Sequence, residues 1–434
     1  MRKNTWFFGI LSGLLLLAGV PPLSLWWISC LGLFPLFFLF FDPAGRLKDI
    51  SFGSLLAGGI YFGIGLYWLL FYELRIYILA LLVLVPAFVI YFSLLWVLTR
   101  SFKIASIKIL IAAILWFAFQ KIYSLTPLGT SGIEAPFYGS LPLMQIAVFG
   151  GFGTLSALLI GFSAGIAAFL KERKLLNGIC ALLFAALLLG AYFWGEHRLK
   201  MEDSLNLRVT LIQHNLSISG KWNFDHPEEI RKKYRELALE ASKRKPDLIV
   251  FPLYNFPGDP LRKPDFFTAL ARETGSPILI ATYIPEKEGE TLSKGFYDTA
   301  ILYSPNGKVS GKYQAIQPPP FRQISEKTGK EYHLLETLFG KIGVLLCYED
   351  ATPRIAMLAV KKGAAFLVAL SNPGHFISTH LPYYHLMQDR LRAIETGRFV
   401  LRVSANGYSA IIDPKGRLLQ RSALNQEIIL QAKN

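Results

Sequence analysis

The sequence predicts two parts, a bundle of membrane-spanning helices in residues 1–196 and an α/β domain in residues 197–434. Hydrophobic residues make up 53% of the 434 residues, which is unusual for a soluble protein, and the excess lies almost entirely before residue 197. After that point, strand-like and helix-like segments alternate. Alternation of this kind is typical of a layered α/β domain, and the second part is long enough for one such domain.

Seven stretches of the first part are long or apolar enough to cross a membrane. They are residues 5–20, 24–41, 51–72, 77–98, 107–122, 142–170 and 176–195. Because the first stretch is followed at once by further apolar stretches, we expect no cleaved signal peptide. The predicted number is about seven, since the first two stretches are tightly joined and the fifth is short.

Basic residues concentrate on one side of these predicted spans. If the N-terminus is cytoplasmic, the inside segments carry Arg2, Lys3, Arg46, Lys48, Arg100, Lys103, Lys108, Lys171, Arg173 and Lys174. The outside loops carry Arg75, with Lys121 at a span boundary. By the positive-inside rule, an odd number of spans places everything after Trp194 outside the cytoplasm. In a bacterium this is the periplasmic face of the inner membrane.

The second part alternates strand and helix signals along its whole length. Strands are predicted at 207–212, 247–251, 278–283, 297–303, 342–346, 365–370, 399–403 and 409–413, and helices at 227–244, 266–274, 353–362 and 384–395. Strands that are joined through helices imply a largely parallel or mixed sheet.

The net charge of +15 divides into about +6 before residue 197 and about +9 after it. Nucleic acid is not an expected partner of an exported domain, whereas anionic lipid head groups account for a basic surface. Cys30 and Cys180 lie within predicted spans, so Cys347 has no partner for a disulfide inside the exported part.

Cys347 is the leading candidate for a catalytic residue. An apolar run, 342–346, ends at the cysteine, and a helical pattern begins at Pro353. At a strand-to-helix turn, helix N-terminal amides favour a thiolate and hold an oxyanion, which suits a nucleophile. The alternative is a buried cysteine that only fills space, as free cysteines usually do.

Motifs spread over most of the chain resemble the bacterial apolipoprotein N-acyltransferase family. In the second part they are LIQHNLSISGKW (211–222), DLIVFP (247–252), FYDTAILYSPNGKVSGKY (296–313), CYED (347–350), GAAFLVALSNPGHF (363–376) and HLMQDRLRAIETGRFVLRVSANGYSAIIDPKGRLL (385–419). In the first part they are GLYWLL near Trp68 and PLMQIAVFGGFGTLSALL (142–159). The resemblance implies a nitrilase-like domain of α-β-β-α type that follows the membrane bundle in the sequence.

The resemblance also implies an activity. Members of the family move a fatty acyl chain from a phospholipid, through a cysteine thioester, to the N-terminal diacylglyceryl-cysteine of an apolipoprotein. The implied partners are therefore a phospholipid donor, an apolipoprotein acceptor and the membrane, and we expect a monomer without a cofactor. Family members usually end with one more span, and the polar residues up to Asn434 contain no such stretch.

The family works with a Glu–Lys–Cys triad, of which this chain keeps the nucleophile. Cys347 matches the family's cysteine, and Tyr348 and Glu349 beside it are kept as supporting residues. The acidic and basic positions of the family's motifs are occupied here by Leu253, Ala315 and Gln323. Without a base or a nearby cation, a thiol with a pKa of about 8.5 is only a few per cent ionised at neutral pH.

Few residues near these positions are candidates to replace the missing base or cation. Lys312 lies three residues before Ala315, so on a strand it would point to the opposite face. His375 is a candidate base, because a Cys–His pair activates a thiol, although a loop histidine without a catalytic partner is the competing interpretation. Arg322 flanks the lost lysine position. We expect no metal site from His375, His380 and His385, since no carboxylate or cysteine completes a ligand set.

Three functions remain compatible with the sequence. The first is an N-acyltransferase, and the second is a pseudoenzyme that binds lipid or lipoprotein in the same cleft. The third is a membrane-tethered nitrilase or amidase, which would need the same missing glutamate and lysine. The retained Cys-Tyr-Glu motif favours the first function, and the substitutions at Leu253, Ala315 and Gln323 favour the second.

Overall fold

The structure is a computed structural model. It describes residues 4–21, 23–124, 133, 135–216, 225–257, 260–261, 266–287, 292–319 and 326–432. The chain divides into two compact units, Met1–Met201 and Glu202–Asn434. The boundary lies five residues after the predicted one, because the last helix of the first unit continues through polar residues to Leu199.

The first unit is helical. Its helices are α1 (Thr5–Leu17), α2 (Trp26–Ser29), α3 (Phe34–Phe40), α4 (Leu47–Gly65), α5 (Leu74–Thr99), α6 (Ala105–Ser124), α7 (Leu141–Met144), α8 (Phe152–Glu172) and α9 (Leu175–Leu199). Among the described residues, four helices are long and apolar enough to cross a membrane, namely α5, α6 (over Ala105–Ile122), α8 and α9. The total of about seven spans stays a prediction.

Two predicted spans are interrupted by local backbone features. The stretch 24–41 forms the separate helices α2 and α3, with Pro35 in the first turn of α3. The stretch 142–170 is divided by Gly150 and Gly151, whose φ angles are +143° and +74°. Only glycine adopts such angles readily, so α8 begins after them rather than at residue 142.

Glycines allow two helix pairs of the first unit to approach closely. On α1, a Cβ atom added at Gly9 would lie 2.6 Å from the carbonyl oxygen of Gly53 on α4. On α8, a Cβ added at Gly165 would lie 2.8 Å from Cα of Ala181 on α9. Small residues at such crossings let backbones pack by dispersion forces, which is the usual way helices associate in a membrane.

The second unit contains two mixed sheets. The strands are β1 (Val209–Gln213), β2 (Leu248–Leu253), β3 (Ile278–Pro285), β4 (Phe296–Tyr303), β5 (Val309–Gln314), β6 (Glu326–Lys327), β7 (Leu335–Thr337), β8 (Gly340–Leu346), β9 (Phe366–Ser371), β10 (Val400–Ser404), β11 (Ala410–Ile412), β12 (Leu418–Arg421) and β13 (Ile428–Gln431). Among the described residues, the first sheet has the order β13-β1-β2-β3-β4-β5, with β6 beside β4, and the second has the order β12-β11-β10-β9-β8-β7.

The two sheets pack face to face and helices cover their outer faces, which confirms the α-β-β-α fold. The helices α10 (Pro227–Ser242) and α11 (Phe266–Thr274) pack on the first sheet, and α12 (Pro353–Lys361) and α13 (Leu381–Thr396) pack on the second. Between the sheets, the hydroxyl of Ser409 donates a 2.7 Å hydrogen bond to Gln213 on β1. The parallel core strands are buried on both faces, because the other sheet covers one face and helices cover the other.

The predicted core strands and helices agree with the structure to within a few residues, and the strands that prediction missed are mostly short or lie near sheet edges. Strands β5, β7, β12 and β13 contain exposed or polar residues and run for six residues or fewer. Such segments lack the continuous apolar run that identifies a buried strand, and only partner strands determine that they pair.

Candidate active site

Cys347 directly follows the interior strand β8, at the start of a short 3-10 helix, Cys347–Ala351. Its φ angle is +50°, a left-handed conformation that costs a non-glycine residue of order 1–3 kcal/mol. The residue is partly exposed, whereas the strand before it is buried. A cysteine with a strained backbone between a strand and a helix fits the predicted nucleophile position better than it fits a space-filling residue.

Glu349 fixes the shape of this turn. Its Oε1 accepts hydrogen bonds from the Tyr313 hydroxyl at 2.6 Å, the Ile316 amide at 2.8 Å and the Gln317 amide at 3.2 Å, and its Oε2 accepts one from the Leu346 amide at 2.9 Å. Burial raises the pKa of Glu349 to about 7, although these donors lower it. With four donors on two oxygens, the carboxylate joins the end of β5 to the Cys347 turn.

Asp350, the next residue, anchors the turn from the other side. It lies 3.0 Å from Arg402 on β10 and 3.5 Å from His385 on α13. Arg402 also pairs with Asp389 and donates a 3.0 Å hydrogen bond to the Ser371 hydroxyl. Burial opposes ionisation of Asp350, but the charges and hydrogen bonds of His385 and Arg402 outweigh it and lower the pKa. The turn is thus held by a buried ionic network.

Leu253 and Ala315 both lie on the face of the first sheet that meets the second. Leu253 is 1% exposed and is paired with Ala281 on β3, and Ala315 is 5% exposed at the end of β5. Lys312 is exposed on β5 whereas Tyr313 is buried, which is the alternation expected from its odd offset to Ala315. Neither Leu253 nor Ala315 can supply a proton acceptor or a charge.

Other predicted site residues are only partly described. Tyr348 is partly exposed in the turn. Gln323 and Arg322, and the side chain of His375, lie outside the described residues. Within the described part of the chain, no three His, Cys, Asp or Glu side chains are grouped to hold a metal ion.

The environment of the Cys347 thiol disfavours the thiolate. Burial raises its pKa well above the ordinary value, and the negative charges of Asp298, Asp350 and Glu326 raise it further, against a hydrogen bond from the Tyr348 backbone. The sulfur is therefore a neutral thiol at pH 7 in this state. To attack a carbonyl carbon it must lose its proton during the reaction, so the site needs a general base.

Several residues around the thiol were not predicted from the sequence, namely Asp298, Tyr313, Glu326, Asp350 and Arg402. One signal was available for Arg402, because a charged residue inside the apolar run FVLRVS is expected to be buried with partners. Asp298 gave a similar signal within FYDTAILY. Arg402 and Asp298 lie far from Cys347 in the sequence, so their proximity to it was visible only in the fold.

Two family matches divide the chain in the same way as the structure. Residues 208–433 match the family described as Carbon-nitrogen hydrolase, and residues 12–165 match the Apolipoprotein N-acyltransferase N-terminal domain. The first match alone covers more than half of the chain.

Curated relatives match over nearly the whole length. An apolipoprotein N-acyltransferase of Geobacter metallireducens is 27% identical over 99% of this chain and 89% of its own length. The corresponding protein of Nostoc sp. is 25% identical, over 94% of this chain and 88% of its own, and that of Neisseria meningitidis is 26% identical, over 91% and 84%.

Among solved structures, an amidase from Nesterenkonia sp. is 18% identical, with a TM-score of 0.42, and covers 54% of this chain and 91% of that one. A carbon–nitrogen hydrolase from Helicobacter pylori is also 18% identical, with a TM-score of 0.42, over 52% and 88%.

The Cys347 turn lies in the segment that matches the Carbon-nitrogen hydrolase family, and the apolar helices α5 and α6 lie in the segment that matches the N-acyltransferase domain. By both segments, this chain belongs to the carbon–nitrogen hydrolase family and, within it, to the apolipoprotein N-acyltransferases.

Proposed function

We propose that this protein transfers a fatty acyl chain from a phospholipid to the N-terminal diacylglyceryl-cysteine of apolipoproteins, with Cys347 as the nucleophile. The observation that carries the proposal is the Cys347 turn, where the cysteine has a strained backbone conformation and Glu349 anchors the turn by accepting four hydrogen bonds. Relatives that match almost the whole chain are named for the same activity.

The reaction proceeds in two halves. The sulfur of Cys347 attacks the ester carbonyl carbon of the phospholipid while the thiol proton passes to a base. The tetrahedral intermediate then collapses, the glycerol oxygen leaves with a proton, and a thioester and a lysophospholipid remain. In the second half, the α-amino group of the apolipoprotein attacks the thioester, so an amide forms and the thiol is regenerated.

The apolar helices and the charges of the loops support a proposed location. The helices α5, α6, α8 and α9 place the protein in a membrane, and the basic residues of the predicted inside segments favour a cytoplasmic N-terminus. We place the hydrolase-like unit on the periplasmic face of a bacterial inner membrane. A cleft that opens toward the bilayer would let the lipid ester reach Cys347 without crossing water.

Leu253 and Ala315 limit how the site can work. We interpret them as substitutes for the family's general base and its cation, because both occupy the matching motif positions and both are buried and apolar. An apolar wall disfavours the thiolate, and a missing ammonium leaves the oxyanion to other donors. The family's usual mechanism is therefore expected to be slowed in this chain.

The test is direct detection of the acyl-enzyme. The full chain is purified in detergent, mixed with phospholipid and digested, and the peptide that contains Cys347 is weighed by mass spectrometry. We expect a mass increase equal to one acyl chain, which hydroxylamine removes and which Cys347→Ala abolishes. If Cys347 stays unmodified while a relative with the complete triad is acylated in parallel, the protein binds lipid or lipoprotein without catalysis and the proposal fails.

A further inference from the structure

Asp298 lies opposite Ala315, the position where the family's lysine is missing. On the β4–β5 ladder Thr299 is paired with Gln314, and the next pair brings Asp298 opposite Ala315. The amide of Ala315 donates a 2.9 Å hydrogen bond to the carbonyl oxygen of Asp298. Residues directly opposite in a ladder have side chains on the same face, so this carboxylate is a neighbour of the substituted position.

That face meets the second sheet, where the nucleophile turn lies. Tyr313 lies two residues before Ala315 on the same face, and its hydroxyl reaches Glu349 in the Cys347 turn. Asp298 and Ala300 alternate with outward residues, and Ala300 is paired with Tyr313. The carboxylate of Asp298 therefore points into the space between the sheets, toward the turn that carries the thiol.

Asp298 is buried without full compensation for its charge. The residue is 5% exposed, and its Oδ1 has no hydrogen-bond partner among the described residues. Burial raises the pKa of Asp298 well above its usual value, and the negative charges of Glu326 and Glu349 raise it further. The carboxylate is consequently a stronger base than an exposed aspartate, and an unpaired buried carboxylate is too costly to be explained by packing.

Two neighbouring carboxylates are engaged elsewhere. Glu349 accepts four hydrogen bonds, and Asp350 is held by Arg402 and His385. The charge of Asp298 acts on the thiol more strongly than the charges of Asp350 and Glu326 do. Oδ1 of Asp350 also lacks a hydrogen-bond partner among the described residues, but Arg402 and His385 offset the charge of Asp350. Geometry and charge thus favour Asp298 as the carboxylate beside Cys347 that accepts a proton.

We infer that Asp298 is the general base of this site and takes over the task for which Leu253 is unsuited. This inference rests on the proposed function. As the sulfur bonds to the ester carbon, the S–H proton passes to the Asp298 carboxylate and the carbonyl electron pair moves to oxygen. When the intermediate collapses, the proton returns to the departing glycerol oxygen, so that Asp298 ends as it began.

The test uses two reactions of the same sulfur in the full chain, with Asp298→Asn as the variant. Thioester formation from phospholipid should fall about 10²-fold or more, because the proton acceptor is lost. Alkylation by iodoacetamide should instead shift to lower pH, because removal of a negative charge favours the thiolate. A merely structural residue would move both reactions in the same direction, or neither.

Further variants separate the outcomes. Asp298→Glu keeps a carboxylate and should recover part of the acylation, whereas Asp298→Ser, a second neutral variant, should resemble Asp298→Asn. The exposed Glu336→Gln is a matched control and should change neither reaction. If the wild type is acylated and Asp298→Asn is acylated equally fast, the inference is overturned and the proposed function stands. If the wild type is alkylated but never acylated, the proposed function fails and the inference fails with it.

Discussion

The phenolic hydroxyl of Tyr313 donates a 2.6 Å hydrogen bond to Oε1 of Glu349, and this bond joins the two sheets beside Cys347. Tyr313 lies on β5 of the first sheet, and Glu349 lies in the turn after β8 of the second. Both side chains are buried, with relative exposures of 1% and 0%. The position of the Cys347 turn relative to the first sheet depends on this bond and on the neighbouring amides of Ile316 and Gln317.

The first prediction concerns Tyr313→Phe, which removes this hydroxyl and leaves the ring in place. A buried hydrogen bond to a charged group contributes roughly 1.5–3 kcal/mol, so the midpoint of thermal unfolding should fall. Thioester formation on Cys347 should fall as well, since Glu349 loses one of the donors that position the turn. Both quantities are measured on the purified full chain.

Tyr332→Phe is the matched control for this prediction. Its ring packs against that of Tyr313, at 4.8 Å between centroids, but its hydroxyl donates a 2.8 Å hydrogen bond to the carbonyl oxygen of Val344 on β8 and not to Glu349. The control should lower the unfolding midpoint and leave acylation per folded molecule unchanged. Equal losses of acylation in the two variants would show that Glu349 is not positioned by Tyr313.

The second prediction concerns Arg402→Met. Removal of the guanidinium leaves Asp350 and Asp389 buried without their shared cation, and breaking such a pair from one side typically costs about 3–5 kcal/mol. Chemical denaturation should detect the loss. Arg208→Met, which breaks an exposed ion pair with Asp247, should leave the denaturation midpoint nearly unchanged. A small effect at Arg402 would mean that the network is not a stabilising anchor of the turn.

The fold was largely readable from the sequence because its core strands are apolar runs joined by helices with clear ends. The helix predicted at 266–274 is found over the same residues, Phe266–Thr274. Pro227 in the first turn and two following glutamates likewise mark the start of α10. The edge strands were missed because their residues are polar and their pairing is decided by the neighbouring strand.

The candidate site was predictable only where its residues are adjacent in sequence. Cys347, Tyr348 and Glu349 form one motif, and their position at a strand end followed from the apolar run before them. The partners of Glu349 and Asp350 come from β5, β10 and α13, which are separated from the turn by tens of residues. No local pattern could indicate that a carboxylate on β4 lies beside the thiol.

The third prediction concerns the orientation of the protein in the membrane. A single cysteine introduced at Asn306, next to the Gly307 turn of the second unit, should react with a membrane-impermeant maleimide added to intact spheroplasts. A cysteine at Lys103, in a predicted inside segment, should react only after the membrane is permeabilised. We expect this labelling pattern because basic residues concentrate in the predicted inside segments. The reverse pattern of labelling would contradict a periplasmic hydrolase-like unit.

The fourth prediction concerns the pH dependence of stability at Asp298. Its folded pKa is raised above the unfolded value, so the contribution to stability is fully present below the unfolded pKa and is lost as pH rises through the folded pKa. Asp298→Asn removes this titration. The variant should therefore be more stable than the wild type at pH 7 and above, and the difference should vanish near pH 4. Unfolding midpoints of both proteins across this range test the sign. If the midpoint of the variant minus that of the wild type is lower at pH 8 than at pH 4, the prediction is wrong.

The last prediction concerns restoration of the family's charged residues with Leu253→Glu and Ala315→Lys. The glutamate alone would be buried in an apolar row beside Ala281, so Leu253→Glu by itself should lower the unfolding midpoint. The ammonium alone would face Asp298 and compensate its charge, so Ala315→Lys by itself should lower the pH needed to alkylate Cys347. Together they supply a base and an oxyanion partner, and the double variant should form the Cys347 thioester faster than the wild type. If it is no faster, although both single variants fold, Leu253 and Ala315 do not occupy the positions of the missing base and cation.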